Sequence, residues 1–219
     1  MAKKTSSRER TLGIPDSEFF QRYPRKGLIT KMEVRVISLA RLNLREESVF
    51  WDIGAGSGSI SIEAAMIVKR GKVFAIEKNP HDIQNIKKNI KKFGVSNIEI
   101  IPMFAPEGFD VLPDPDATFI GGSSSRLKGI LECVCQRLNP YGSIVMNAAS
   151  VENLSIALGV FKRLGWPTEI TMVMIARSKT TGALTRFESL NPVFVLIAQR
   201  LHKSSYKKGQ LKAAKSDAG

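Results

Sequence analysis

The stretch WDIGAGSGSISIEAA, residues 51–65, constrains the chain more than any other. Its first part closes a nearly continuous apolar run, SVFWDI (48–53), as a strand buried on both faces requires. Its last part continues at helical period, with Ile60, Ala64 and Val68 four residues apart. Gly54, Gly56 and Gly58 fill the turn between them, where bare backbone can bend sharply and let a ligand come closer than a Cβ would allow. The following helix turns its unpaired N–H groups and the positive end of its dipole toward whatever sits there.

Alternation of strand and helix continues along the chain. KMEVRVISLARLNL (31–44) has a helical period, with Met32, Val36 and Ala40 in one row and Ile37 beside them. KVFAIE (72–77) reads as a second strand. NPHDIQNIKKNIKKFG (79–94) reads as a helix capped by Asn79, opened by Pro80 and ended by Gly94, with Ile83, Ile86, Ile90 and Phe93 as its apolar stripe. Strands are expected at 97–101, 116–120 and 142–148, with helices at about 124–138 and 151–165. TEITMVMIAR (168–177) and NPVFVLIAQR (191–200) read as two closing strands, and residues 178–190 as the connection that makes them antiparallel. The fold expected is α/β: a Rossmann-like open sheet with helices on both faces, mostly parallel with an antiparallel C-terminal strand.

Composition narrows the function classes. The chain has 219 residues, 43% of them hydrophobic, enough for one cored domain. No apolar run approaches the roughly 20 residues of a membrane helix, and no secretory signal is visible. A soluble, cytoplasmic protein without membrane contact is the expectation. Two cysteines, Cys133 and Cys135, and two histidines, His81 and His202, do not make a typical zinc site, so no metal is expected. The net charge of +13 gathers at the ends. Residues 1–10 set Lys3, Lys4, Arg8 and Arg10 against Glu9; residues 200–219 set Arg200, Lys203, Lys207, Lys208, Lys212 and Lys215 against Asp217. The organisation expected is a basic arm (1–10), a single domain (11–200) and a basic, mobile tail (201–219). Such arms raise nucleic-acid binding as an alternative, although Tyr206 is the one aromatic residue of the tail.

The turn itself selects among ligands. Its glycines run G-x-G-x-G rather than the dinucleotide pattern G-x-G-x-x-G, and no P-loop lysine follows. Asp52 would repel a phosphate and suits a ligand with a cationic amino group. Glu77 ends the second strand, where a carboxylate can accept the hydroxyls of a ribose. S-adenosylmethionine combines both features, and it is the cofactor expected.

These motifs resemble class I S-adenosylmethionine-dependent methyltransferases, and among them the decarboxylating precorrin-6B (cobalt-precorrin-6B) C(15)-methyltransferases of cobalamin biosynthesis. The resemblance runs through GIPDSEF (13–19), LITKMEVR (28–35), the glycine turn, VFAIEKNP (73–80), FAPEGF (104–109), FIGGSSS (119–125) and IARSKTTGALTRFESLNPV (175–193). It implies that Thr30 touches the methionine part of the cofactor, although Thr30 also stands where it can cap a helix. It further implies that Gly54, Ala55, Gly56, Ser57 and Gly58 form the cradle, that Glu77 takes the ribose and that Ala105 lies beside the adenine. The substrate implied is a polyanionic tetrapyrrole-derived macrocycle, methylated at carbon 15 with loss of the ring-C acetate carboxylate. A homo-oligomer, a tetramer by resemblance, is implied, as is a separate partner for methylation of carbon 5.

FIGGSSSRL (119–127) offers small residues where base-methylating enzymes place a proline-aromatic clamp, which leaves room for a bulky acceptor; Ser123 or Ser124 can also cap the next helix. Arg126, Lys128, Arg177, Lys179 and Arg186 are candidates for a basic rim. No residue is assigned as a catalytic acid or base. An RNA methyltransferase that uses the basic arms is the alternative reading, and a partner-binding module of degenerate methyltransferase fold is a third.

Overall fold

The computed structural model describes residues 11–22, 29–122 and 124–200. The basic arm (1–10), residues 23–28, Ser123 and the basic tail (201–219) lie outside the described residues.

In chain order the regular elements are α1 (Met32–Arg41), β1 (Val49–Ile53), α2 (Ser59–Ile67), β2 (Lys72–Ile76), α3 (Pro80–Phe93), β3 (Ile98–Ile101) and β4 (Ala117–Ile120). Then come α4 (Leu127–Arg137), β5 (Ser143–Ala148), α5 (Val151–Leu164), β6 (Thr168–Val173), β7 (Ala176–Thr181), β8 (Leu184–Ser189) and β9 (Val193–Gln199). Seven strands form one sheet in the order β3-β2-β1-β4-β5-β9-β6. Strands β1 to β5 pair in parallel, and β9 runs antiparallel between β5 and β6. The chain winds outward from β1 in one direction and from β4 in the other. Their carboxyl tips therefore flank the crevice where ligands bind in such sheets.

Period-2 burial explains the two faces. Trp51, Ile53, Phe74, Ile76, Ile144 and Met146 pack against α4 and α5, while Phe50, Val73, Phe119, Val145 and Val195 pack against α1 and α2. Because both faces are covered, Phe50, Trp51 and Ile53 of β1 are all fully buried.

The closing segment differs from the sequence reading. Residues 168–177 are not one strand: they break after Val173, and β7 leaves the sheet. Residues 178–190 are not a plain connection, because β7 and β8 form a separate antiparallel hairpin turning at Gly182, whose φ is +61°. Every residue of β8 is exposed, so no alternation of apolar residues marks it. The buried face of α1 also differs. It carries Val34, Arg35, Ser38 and Leu39, while Ala40 of the expected row is exposed. The physical reason is an ion pair: Arg35 turns inward to meet Glu63 of α2, both side chains fully buried, at 2.7 Å.

Helix α3 forms as its ends dictate. Asn79 accepts from the N–H groups of His81 (2.9 Å) and Asp82 (3.4 Å), Pro80 opens the first turn, and Gly94 closes at φ +66°. Two polar residues on its inner face, Asp82 and Asn89, are buried as well. Arg22 reaches Asp82 at 2.8 Å. The Asn89 amide accepts from Phe20 N–H (2.9 Å) and donates to Phe20 O (3.0 Å) and Ser57 O (2.8 Å).

Candidate cofactor and acceptor site

Two clefts open at the carboxyl tips of β1 and β4. The larger, about 700 Å³, is lined by Thr30 and Lys31 before α1, Asp52 and the glycine turn, the tip of β5 and the segment 189–193. The smaller, about 300 Å³, is lined by Glu77 and Lys78, residues 103–105 and Arg22. Gly54, Gly121 and Gly122 line both, so the partition between the clefts is made of glycine backbone. Gly54 has φ +73°, and a Cβ there would lie 2.7 Å from Gly122 N. A bare backbone at 54 is therefore a condition of this geometry.

The turn is held by main-chain bonds and one carboxylate. Gly54 N–H and Ala55 N–H both donate to Ile76 O, at 2.9 and 3.1 Å. The Glu77 side chain, 8% exposed, accepts from Gly56 N–H (2.8 Å), Lys78 N–H (2.9 Å) and Asn79 N–H (2.8 Å). A carboxylate has about four acceptor positions. Glu77 thus fixes the cradle and keeps roughly one position toward the smaller cleft. Beside that cleft, Phe104 is faced by Lys78 Nζ and the Arg126 guanidinium, each 4.0 Å from the ring centroid.

Asp52 sits at the tip of β1, 1% exposed. Ser61 donates to its Oδ2, and its Oδ1 has no protein partner. Burial, opposed by the Ser61 hydroxyl and backbone and supported by the negative charge of Glu77, pushes its carboxyl up to about 7. Ser57 Oγ is a second buried polar atom without a partner. Buried polar atoms are nearly always paired. Asp52 and Asn147, whose Nδ2 is likewise unpartnered, both line the larger cleft, and orphans there beside a bare-backbone cradle fit a ligand that brings an ammonium and further polar atoms, whereas Ser57 faces neither cleft.

Thr30, Gly54, Ala55, Gly56, Glu77 and Ala105 thus line the joined clefts. Ser57 and Gly58 do not line them. Ser57 O is held by Asn89, and Gly58, at φ +76°, is the N-cap of α2 with Ile86 behind it. The cap suggested for Thr30 is not formed: Lys31 holds that position, without a side-chain cap bond. Helix α4 likewise starts only at Leu127, after a 3-10 turn over Ser124–Arg126, so Arg126 rather than a serine is its N-cap. The Cys135 thiol is buried and pushed up to about 12 by that burial.

Sequence reasoning missed what holds Thr30 in place. Arg35 donates to Thr30 O (2.6 Å) and to Ile14 O, and approaches Asp16 at 3.3 Å, while Glu63 accepts from Gly13 and Ile14 N–H. From the hairpin, Arg177 donates to Glu33 (2.5 Å) and Asp16 (3.1 Å), which raises the Arg177 pKa and lowers that of Glu33. The ion-paired guanidinium of Arg177 is therefore a structural tie and not a free member of a basic rim. Lys179 pairs with Glu188 at 2.8 Å, and Arg126 pairs with Glu107. The one signal in the sequence was the charged residues of the entry motifs GIPDSEF and LITKMEVR, Asp16, Glu33 and Arg35, together with Glu63 in the helix after the glycine turn.

Comparison with known proteins agrees with this geometry. Residues 21–200 match the family described as precorrin methyltransferase domain. A probable cobalt-precorrin-6B C(15)-methyltransferase (decarboxylating) from Sulfolobus acidocaldarius is 36% identical over 193 residues, covering 87% of this chain and 99% of the relative. The crystal structure of precorrin-6Y C5,15-methyltransferase from Geobacter metallireducens is similar at TM-score 0.83 and 43% identity, covering 87% of this chain and 99% of that one. A precorrin 8w decarboxylase from Methanobacterium thermoautotrophicum gives TM-score 0.80 and 32% identity, covering 84% and 98%. With the glycine partition, the acid after β2 and the similarity running over nearly the whole described chain, this chain belongs to the precorrin methyltransferase family.

Proposed function

We infer that the protein is an S-adenosylmethionine-dependent C-methyltransferase that methylates carbon 15 of a precorrin macrocycle, coupled to decarboxylation of the ring-C acetate, in cobalamin biosynthesis. The observation that carries this reading is the pair of clefts meeting over bare backbone at Gly54, Gly121 and Gly122. The cofactor, when bound, supplies an electrophilic methyl group. Glu77 and Ala105 suit its nucleoside, and Thr30, the turn at 54–58 and Asp52 suit its amino-acid end. Asp52, carrying close to half a negative charge at neutral pH, suits the ammonium.

The protein's task is then alignment. Gly54 N–H, Gly121 N–H and Gly122 N–H are spent on sheet carbonyls, so the partition is rigid and holds the two ends of the cofactor in one fixed relation. Phe119, Leu127 and Met146 make the wall near it apolar and keep water from the transfer. An electron-rich ring carbon attacking in line needs no protein base for that step.

Self-association is part of the reading. Edge strand β6 exposes Ile170 and Met172, Met174 follows at 70% exposure, and the hairpin exposes Leu184 and Phe187, the latter at 74%. An apolar edge of this kind is ordinarily covered. A homo-oligomer closed through β6 and the hairpin covers it, and methylation of carbon 5 falls to a separate protein. Free cysteines suit a reducing, cytoplasmic setting. Among the described residues no helix is long and apolar enough to cross a membrane.

The test is transfer of labelled methyl from S-adenosylmethionine to cobalt-precorrin-6B or to total RNA. Label in the macrocycle with release of carbon dioxide is expected. Label in RNA alone would establish the alternative, which the absence of a proline-aromatic clamp after β4 already disfavours.

A further inference from the structure

The larger cleft contains one cation and one anion among its described lining residues, Lys31 and Asp52. They do different jobs. Asp52 is on the buried floor beside the glycine turn, whereas Lys31 is half-buried at the rim, one residue before α1. The Lys31 ammonium makes no ion pair with any described residue, and its side chain does not cap α1. Of the other basic groups near the clefts, Arg22 pairs with Asp82, Arg126 with Glu107 and Phe104, Lys78 with Phe104, and Arg177 with Glu33 and Asp16, while Lys128 in the first turn of α4 is exposed and lines neither cleft. Around the rest of the cleft stand neutral polar groups, with Asn153 in the first turn of α5 and Ser189 and Asn191 between the hairpin and β9.

We propose that Lys31, with Asn153 and Asn191, forms a carboxylate-binding subsite that anchors a peripheral carboxylate of the methyl acceptor. This rests on the functional reading above. A polyanionic acceptor entering a cleft that already holds a buried carboxyl needs a compensating cation, and Lys31 is the one cation among the described lining residues. The amides supply donors without adding negative charge.

The chemistry also says which carboxylate is held. An ammonium paired with the carboxylate that leaves as carbon dioxide would stabilise charge in the ground state that the reaction must move away. Such an interaction slows the step. Lys31 therefore suits a carboxylate that stays on the ring and acts through binding and register. The apolar wall of Phe119, Leu127 and Met146 is the place for the one that departs.

The experiment compares wild type, Lys31→Gln and Lys31→Arg in cobalt-precorrin-6B turnover and in calorimetric titration with S-adenosylhomocysteine. Loss of one charge-assisted hydrogen bond at a partly exposed site predicts a KM for the macrocycle raised about 10- to 30-fold in Lys31→Gln. The same variant should keep kcat within about twofold and an unchanged Kd for S-adenosylhomocysteine, and Lys31→Arg should restore most of the KM. An unchanged KM in Lys31→Gln, with active wild type, overturns the subsite. A weakened Kd for S-adenosylhomocysteine also overturns it, because Lys31 would then serve the carboxylate of the cofactor. Wild type that binds S-adenosylhomocysteine but never turns over the macrocycle overturns the functional reading itself, and the subsite with it.

Discussion

A methyl group added at Gly54 would overlap Gly122 O most closely and would lie 2.7 Å from Gly122 N and 2.8 Å from Gly122 Cα, where ordinary contact begins at 3.4 Å. None of these atoms is the movable end of a side chain. The tip of β4 must therefore retreat by on the order of 1 Å, and overpacking of this kind costs about 1–3 kcal/mol. Holding alanine at φ +73° adds about 1–2 kcal/mol. Gly54→Ala should lose about 2–5 kcal/mol of stability, a fall in Tm of about 4–20 °C for a chain of this size. The larger effect is functional, because the displaced residues are the partition itself. Misplacement of about 1 Å near the reacting atoms costs on the order of 100-fold in rate. Gly94→Ala is the control: its φ is +66° but a Cβ there meets nothing within 4 Å. That variant should lose about 1 kcal/mol and bind S-adenosylhomocysteine normally. Calorimetric titration and differential scanning calorimetry on both variants decide the matter. If Gly54→Ala binds the ligand within twofold of wild type and melts no lower than Gly94→Ala, the partition does not have the role assigned to it.

Three further expectations follow from other residues. The Asp52 carboxyl stands at about 7 when folded against 3.8 in the unfolded chain, so the folded state binds the extra proton and stability should decline as pH rises from about 4 to 7. Asp52→Asn should flatten that slope in denaturant melts taken across this range and weaken S-adenosylhomocysteine binding at pH 8; a slope equal to wild type removes Asp52 as its source. Arg177→Ala breaks half-exposed pairs with Glu33 and Asp16, so the Tm should fall only slightly, but the segment bearing Thr30 is loosened and the Kd for S-adenosylhomocysteine should rise about three- to tenfold. Unchanged affinity would show that Arg35 alone suffices. Phe187→Asp should lower the sedimentation mass toward that of one chain without lowering helix content, and a wild-type protein already monomeric at micromolar concentration refutes the oligomer.

The legible parts of this protein are those where one residue type has one physical use. The glycines at 54–58 marked a turn that needs bare backbone, the Asn79-Pro80 start and Gly94 stop bounded α3, and a nearly continuous apolar run marked β1. The hairpin was not legible because β8 and nearly all of β7 are exposed on both sides; with no core to face, LTRFES has no apolar alternation to betray it. Nor was the face of α1, since a charged residue is ordinarily assigned to solvent. Arg35 reverses that rule because Glu63, Thr30 O and Ile14 O satisfy it, a fact that lives in the fold and not in the local pattern. Asn89 and Asp82 were hidden among the lysines of α3 for the same reason.

The glycine wall between the two chambers carries a further implication for how such a protein can diversify. Because it consists of main chain tied to Ile53 and Ile76, no rotamer change can reshape it, and mutation can alter it only by breaking it. The donor half is thereby frozen in form. Ser189, Asn191 and Asn153 are polar side chains outside that wall and free of its constraint, so a new acceptor would be accommodated by exchanging those few side chains while the methyl stays where it is.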